Sequence, residues 1–259
     1  MAKGQFSSAR RNFTRGVRRV RIRVADFFRV DHLSSSYGPR FTLNAKDETF
    51  FYYIDGSYGK YFWDYLSELR KPFIFLDIGA NQGLYTIGSA LNPNLVRAYA
   101  FEPVAETYAL LLKNLRLNRV ESHCEAIMLA VSDRAGHADI AIKDGHSGVA
   151  TLRNRPGEQM VGPVTSSTIG TIDRRGLDAV VGDRGVAIVV KIDVEGLEEV
   201  VLRELLSTSF ADDVIGVFVE IDEEWTDLHQ ITTLLGEAAF EKFTRVGSGQ
   251  HYDLLAARS

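Results

Sequence analysis

Cysteine is almost missing from this chain: Cys124 is alone among 259 residues. That excludes an intramolecular disulfide framework, and with it a cysteine-cluster zinc or iron–sulfur site. No run of about 18 apolar residues occurs, so a membrane-spanning helix is not expected. The N-terminus has no apolar core followed by a small-residue cleavage site, so a secretory signal is not expected and a cytoplasmic location is the default. Internal repeats and low-complexity linkers are also missing, which leaves one domain from about residue 38 onward. What is present, 45% hydrophobic and 25% charged residues, is ordinary for a globular protein large enough to bury a full core.

The net charge of −4 hides an asymmetry. Residues 1–30 hold nine Lys/Arg and one acid, Asp26, so this head carries +8 while residues 31–259 carry −12. An acidic body argues against wrapping a nucleic acid. Within the head, Phe13, Val17, Val20, Val24, Phe27 and Phe28 recur at spacings of three and four, one apolar stripe on a helix with arginines over the other faces. Three expectations follow for this basic amphipathic extension, residues 1–37. It packs on the domain or on a neighbouring subunit, residues 8–30 lie on an anionic membrane surface, or the head contacts nucleic acid or serves in targeting.

Residues 38–71 read as a cap or lid segment. It holds short strands (Arg40 to Leu43, Thr49 to Ile54), then a Tyr/Trp-rich helix ending near Leu69. From Pro72 onward apolar runs alternate with helical spacing. Strands are expected at Phe73 to Leu76, Val96 to Phe101, Ala126 to Val131, Val186 to Ile192 and Val214 to Ile221. Helices fall between them, and two closing strands, Phe243 to Val246 and Tyr252 to Ala256, form an antiparallel edge. The fold class is therefore α/β: a mostly parallel sheet, helices on both faces and right-handed crossovers.

Chemistry concentrates where the first strand hands over to a helix, at Asp77-Ile78-Gly79-Ala80-Asn81-Gln82-Gly83. Ligands of such sheets bind at strand carboxyl ends near the switch in strand order. Gly79 permits a sharp turn and close approach to the main chain, Asn81 tolerates left-handed dihedrals, and Gly83 lets the helix start near the strand. A dinucleotide fingerprint reads G-x-G-x-x-G instead. An acid two residues before the first glycine repels a pyrophosphate but suits a cationic amino-acid moiety such as that of S-adenosylmethionine. Glu102, followed by Pro103, closes the next strand, where a carboxylate accepts hydrogen bonds from ribose hydroxyls.

The second cluster is Lys191-Ile192-Asp193-Val194-Glu195-Gly196. Alternation puts Lys191, Asp193 and Glu195 on one side, at the end of a strand expected beside the first. Charges there are unfavourable unless paired or used. Candidates for a base are Asp193, Glu195, His146 and His123. Magnesium held by Asp193 with Glu220 or Asp222 is chemically open, but no metal is assigned.

The run Phe75 to Thr86, Glu102-Pro103, Leu129 to Asp133, Gly148 to Leu152, Thr171-Ile172-Asp173 and Lys191 to Gly196 occur in the order seen in FkbM-type methyltransferases, which this chain resembles over roughly residues 70–225. The resemblance implies a Rossmann-like class I methyltransferase fold, with a seven-stranded sheet of order 3-2-1-4-5-7-6 and an antiparallel last strand. It also implies S-adenosylmethionine as cofactor and O-methylation of a sugar, glycan or natural-product hydroxyl. By the resemblance, Asp77, Gly79, Ala80, Asn81 and Gly83 border the methionine part, and Glu102 and Pro103 lie at the ribose. Ala130, Val131 and Ser132 flank the adenine, and Asp193 and Glu195 lie near the methionine end and the acceptor. Arg174-Arg175 departs from the family, which usually has another acid there. A nicotinamide-dependent oxidoreductase, or an inactive ligand-binding protein on the same fold, are the alternative readings.

Overall fold

The structure, a computed structural model, describes residues 20–143, 147, 150–151, 164–182 and 185–258. In chain order, α1 covers residues 20–27, followed by β1 (His32–Ser34), β2 (Arg40–Thr42), α2 (Glu48–Asp55) and α3 (Lys60–Glu68). Then come β3 (Phe73–Ile78), α4 (Leu84–Ala90), β4 (Leu95–Phe101), α5 (Ala105–Asn118), β5 (Cys124–Ile127), β6 (Ala130–Val131), β7 (Gly136–Lys143), β8 (Ala150–Thr151) and β9 (Val164–Ile172). The remainder is α6 (Arg174–Val181), β10 (Ala187–Ile192), α7 (Glu198–Leu206), a 3-10 turn (Ala211–Asp213), β11 (Val214–Asp222), α8 (Leu228–Glu237), β12 (Lys242–Val246) and β13 (His251–Ala257).

β3 is buried along its whole length and shows why the sheet forms. Phe73 and Phe75 face one hydrophobic cluster, while Ile74, Leu76 and Ile78 face the other. Each such side chain contributes about 1.5–3 kcal/mol on burial. A strand apolar on both faces belongs at the centre of a covered parallel sheet. The seven-stranded order is β12-β13-β11-β10-β3-β4-β5. β3 pairs in parallel with both β4 and β10, so the chain reverses its direction of travel across the sheet at the β3/β10 boundary. β13 is antiparallel to β11 and to β12. The antiparallel strand is thus the last in the chain but one in from the edge. The edge is β12, because the closing hairpin turns back and inserts β13 between β12 and the rest.

Three expectations are corrected. Thr49 to Ile54 is helical, not a strand: Asp47 caps the helix by accepting from the Thr49 amide at 2.8 Å, and Phe50, Tyr53 and Ile54 bury one face at helical spacing. The expected strand Ala126 to Val131 divides, β5 joining the large sheet and β6 a second one of order β6-β9-β7-β8. The boundary at residue 37 falls inside a hairpin, since His32 pairs with Thr42 and Ser34 with Arg40. Ile22 and Ala25 of α1 share a core cluster with Phe41 and Phe50. Most of the cap segment packs on the sheet, with Phe62 stacked on Phe218 at 4.1 Å between ring centroids.

Candidate active site

Asp77 and Lys191 are register partners on β3 and β10, and both face the cap helices. Asp77 is fully buried. Its Oδ2 accepts from Thr86 Oγ1 at 2.5 Å, while its Oδ1 is buried without a hydrogen-bond partner among the described residues. Lys191 is 4% exposed. Its ammonium lies 3.9 Å from Asp77 Oδ1 and 3.0 Å from Asp193 Oδ2, and donates to the Gly79 carbonyl at 2.7 Å. One cation thus ties the end of β3, the glycine turn and the end of β10 together. Burial pushes the Asp77 carboxyl up, against the pull of Lys191 and Thr86.

The glycine turn is as tight as its sequence implies. Gly79 has φ 81°, and a Cβ there would stand 1.8 Å from the Asp193 carbonyl oxygen, so only glycine fits. Asn81 is left-handed at φ 51°. The Gly79 and Ala80 amides donate to the Phe101 carbonyl at 3.0 and 2.9 Å, pulling the turn over the end of β4. There Glu102 accepts from the Asn81 amide through Oε2 and the Val104 amide through Oε1, each at 2.9 Å. Burial raises the Glu102 carboxyl to about 7, against these two amides. Asp47 and Ser147 buttress the turn: Gln82 Nε2 donates to Asp47 at 3.2 Å, and Ser147 Oγ to Asn81 Oδ1 at 2.9 Å.

On the other side of the switch, burial opposes the charge on Asp193, but Lys191 and hydrogen bonds from Glu220 and Tyr58 outweigh it. Its carboxyl is held below the usual range, with the Tyr58 hydroxyl donating at 3.4 Å. Continuation of the β10/β11 register sets Asp193 beside Glu220, and Glu220 lies opposite Asp253 on β13. Like charges across a ladder are unfavourable. Burial and the charge of Asp193 accordingly push Glu220 up to about 8, and Asp253 is raised to about 7 for the same two reasons. His251 Nε2 meets Glu220 Oε1 at 2.9 Å, and the imidazole is held up at about 9 by that bond.

Asp193, Glu195 and Glu220 each bring a carboxylate oxygen within 4.8 Å of the other two. Hard oxygens at this spacing suit a divalent cation. Lys191 already lies in the cluster as a counterion to Asp193, and His251 meets Glu220 from the far side. Asp222 is turned to His251 Nδ1, at 3.6 Å, and does not join the group.

The structure therefore brings together Asp77, Gly79, Asn81, Glu102 and Asp193. Gly83 is the left-handed residue before α4, where a Cβ would meet Leu111 at 2.6 Å, so its role is helix packing. Ala80 is buried, and Pro103 is half-buried beside Glu102. Val131 is buried in the cluster that also holds Ile78, Phe101 and Ile192, while Ala130 and Ser132 flank it half-buried. Glu195 is not the first-turn acid of α7: it occupies a left-handed turn at φ 54°, and α7 starts at Glu198. His123 is corrected as a base, because it is exposed at the amino end of β5, opposite the strand ends that carry the site. His146 lies outside the described residues. Arg174 and Arg175 are exposed.

Four residues escaped the sequence reading. Glu198 accepts from the Gly196 amide at 2.9 Å and so fixes the turn carrying Asp193 and Glu195. Tyr58 lies just before the Tyr/Trp-rich helix of the cap, and nothing local singled it out as a partner of Asp193. Asp253 and His251 reach the row through the antiparallel return of β13; the alternation of Glu220 and Asp222 on a buried strand was the only local hint.

Sheet order and switch point are those of the class I methyltransferase fold. A profile of the methyltransferase FkbM domain matches residues 77–242. The chain belongs to the FkbM methyltransferase family. The 31-O-demethyl-FK506 methyltransferase FkbM of Streptomyces tacrolimicus is 29% identical over 194 residues, covering 66% of this chain and 70% of that protein. The crystal structure of methyltransferase FkbM from Methylobacillus flagellatus KT shares the fold with a TM-score of 0.52 at 15% identity. The match covers 73% of this chain and 45% of that one, so this chain spans less than half of that protein's length.

Proposed function

We propose that this protein transfers a methyl group from S-adenosylmethionine to a hydroxyl of a sugar, glycan or natural product. The observation that carries the reading is an ionised, half-buried Asp193 held at the strand end between Lys191 and the Tyr58 hydroxyl, with the Gly79 turn against its carbonyl. The cradle suits the donor: the Asp77 oxygen is orphaned and buried beside the turn, and Gly79 leaves the main chain open to close approach. Asp77, Gly79, Asn81 and Glu102 would hold the cofactor. When bound, it supplies an electrophilic methyl group on a sulfonium.

Alignment of the reacting atoms is the main task, worth about 7–11 kcal/mol of barrier in favourable cases. Lys191 serves that task by locking the glycine turn to Asp193. Asp193 accepts the hydroxyl proton late, when the oxygen has become acidic through bond formation, so a carboxyl of low pKa suffices. Burial and the charge of Asp193 push the Glu220 carboxyl up, which favours keeping the negative charge on Asp193. The name of the Streptomyces relative, 31-O-demethyl-FK506 methyltransferase, supports oxygen as acceptor and a natural product as its carrier.

The test combines calorimetric titration of S-adenosylmethionine with transfer of labelled methyl to panels of hydroxyl, amine and carbon acceptors. Asp193→Asn should leave cofactor affinity within about threefold and lower turnover about 10²–10⁴-fold. Glu102→Ala should weaken cofactor binding by about 1–3 kcal/mol. Label on amines alone would remove the O-methylation reading, and an unchanged affinity in Glu102→Ala would remove Glu102 from the cofactor site.

A further inference from the structure

The described part of the head's apolar stripe, from Val20 onward, does not face the domain. Val20, Val24, Phe27 and Phe28 are 59%, 48%, 81% and 70% exposed, and Val30 beyond them is exposed too. The helix is anchored instead by Ile22 and Ala25, which are buried in the core cluster of the cap. At 3.6 residues per turn the four exposed side chains span an arc of about 100°, with Ile22 and Ala25 on the opposite side. Phe28 still follows helical geometry, since its amide donates to the Val24 carbonyl at 3.0 Å. Its ring meets Phe27 edge to face at 5.2 Å between centroids. Arg21 and Arg23, both exposed, fall at the two edges of the arc. The outward orientation is therefore built in by packing on the inner side.

We propose that this face docks on an anionic lipid bilayer, with Val20, Val24, Phe27 and Phe28 entering the headgroup–acyl boundary and the arginines meeting lipid phosphates. Three observations select that partner. Contiguous exposed apolar side chains rimmed by cations match an interfacial helix lying in the membrane plane. No helix among the described residues is long and apolar enough to cross a membrane. Charge is divided along the chain: the head carries +8 and the rest −12. An anionic surface attracts the first and repels the second, which orients the molecule head-down. A second copy of the chain would bring two +8 heads together, and a nucleic acid would leave two phenylalanines and two valines against phosphate.

Sedimentation of the full chain with vesicles tests this. The protein should pellet with phosphatidylcholine vesicles containing about a third phosphatidylserine, and stay in the supernatant with phosphatidylcholine alone. Molar salt should release it, since the arginine contribution is screened. The double substitution F27D/F28D should cut the bound fraction at least tenfold, while S-adenosylmethionine affinity and the far-UV circular dichroism spectrum stay unchanged. R21E/R23E should lower binding to anionic vesicles without touching either control. Wild-type protein that ignores anionic vesicles overturns the proposal. So does a concentration-dependent dimer that F27D/F28D dissolves in the absence of lipid, or equal retention on heparin and vesicles that the phenylalanine substitutions leave intact.

Discussion

The strand-end crevice and the head helix break the ordinary inside–outside rule in opposite directions. In the crevice, charge is buried: Asp77, Lys191 and Glu102 are each less than a tenth exposed. On the head, large apolar side chains face solvent: Phe27 and Phe28 are two-thirds or more exposed. The first inversion is held by mutual compensation, with every charge near another and most oxygens bonded. The second is held by leverage, a small buried contact at Ile22 and Ala25 fixing which side looks outward. A protein tolerates misplaced polarity when local partners or rigid packing supply the stability that solvent or core would otherwise give.

The largest effect is expected of Lys191→Met. It leaves Asp77 and Asp193 without their shared cation, and removing one partner of a buried ion pair is destabilising by about 3–5 kcal/mol. Urea denaturation should show that loss, and methyl transfer should disappear with it.

Next comes acidity. Glu102, Glu220 and Asp253 are raised to about 7, 8 and 7, so the native protein keeps protons that the unfolded chain has released. More protons bound in the native state make stability fall as pH rises, here between about pH 4.5 and 8. For Glu102 alone the difference amounts to about 3 kcal/mol, at about 1.4 kcal/mol per pKa unit. The lowered carboxyl of Asp193 works the other way, and its share is lost as pH falls below about 4. Thermal melting should therefore occur at a higher temperature at pH 5 than at pH 8. The opposite order would mean that these acids are ionised in the native state.

The head supplies the smaller contrasts. Ile22→Ala removes a fully buried side chain and should destabilise by about 2–4 kcal/mol if the helix folds with the domain, or much less if α1 detaches alone. Phe27→Ser, on the same helix, should change stability by no more than about 0.5 kcal/mol. The smallest effect expected is that of a chelator. Lys191 already sits against Asp193 where a cation would compete, so methyl transfer should persist in excess EDTA.

How much of this could be read from the residues depended on range. The glycine turn, Glu102 and the block ending in Asp193 were legible because each is a local pattern at a strand end, and because parallel β/α alternation places strand ends together. The helix α2 was not: its Thr, Phe and Tyr residues favour strands, and the Asp47 cap together with burial of Phe50, Tyr53 and Ile54 makes it helical. From Val20 to Phe27 the head stripe is helical as its period implied, yet its direction depended on Ile22 and Ala25, two residues too few to stand out. Asp253 and His251 were invisible for a third reason. They enter the site through a strand pairing more than thirty residues along the chain, and no local signal specifies that register.

The threefold grip of Lys191 has an evolutionary corollary. A single ammonium clamps the glycine turn and the end of β10 into one unit, so neither half can drift without the other. Variation is then expected in the cap, at positions such as Tyr58, whose hydroxyl donates to Asp193 and tunes its carboxyl from outside the sheet. A library that randomises the cap around Tyr58 should yield altered selectivity with the fold intact, whereas one centred on Lys191 should yield mostly dead protein.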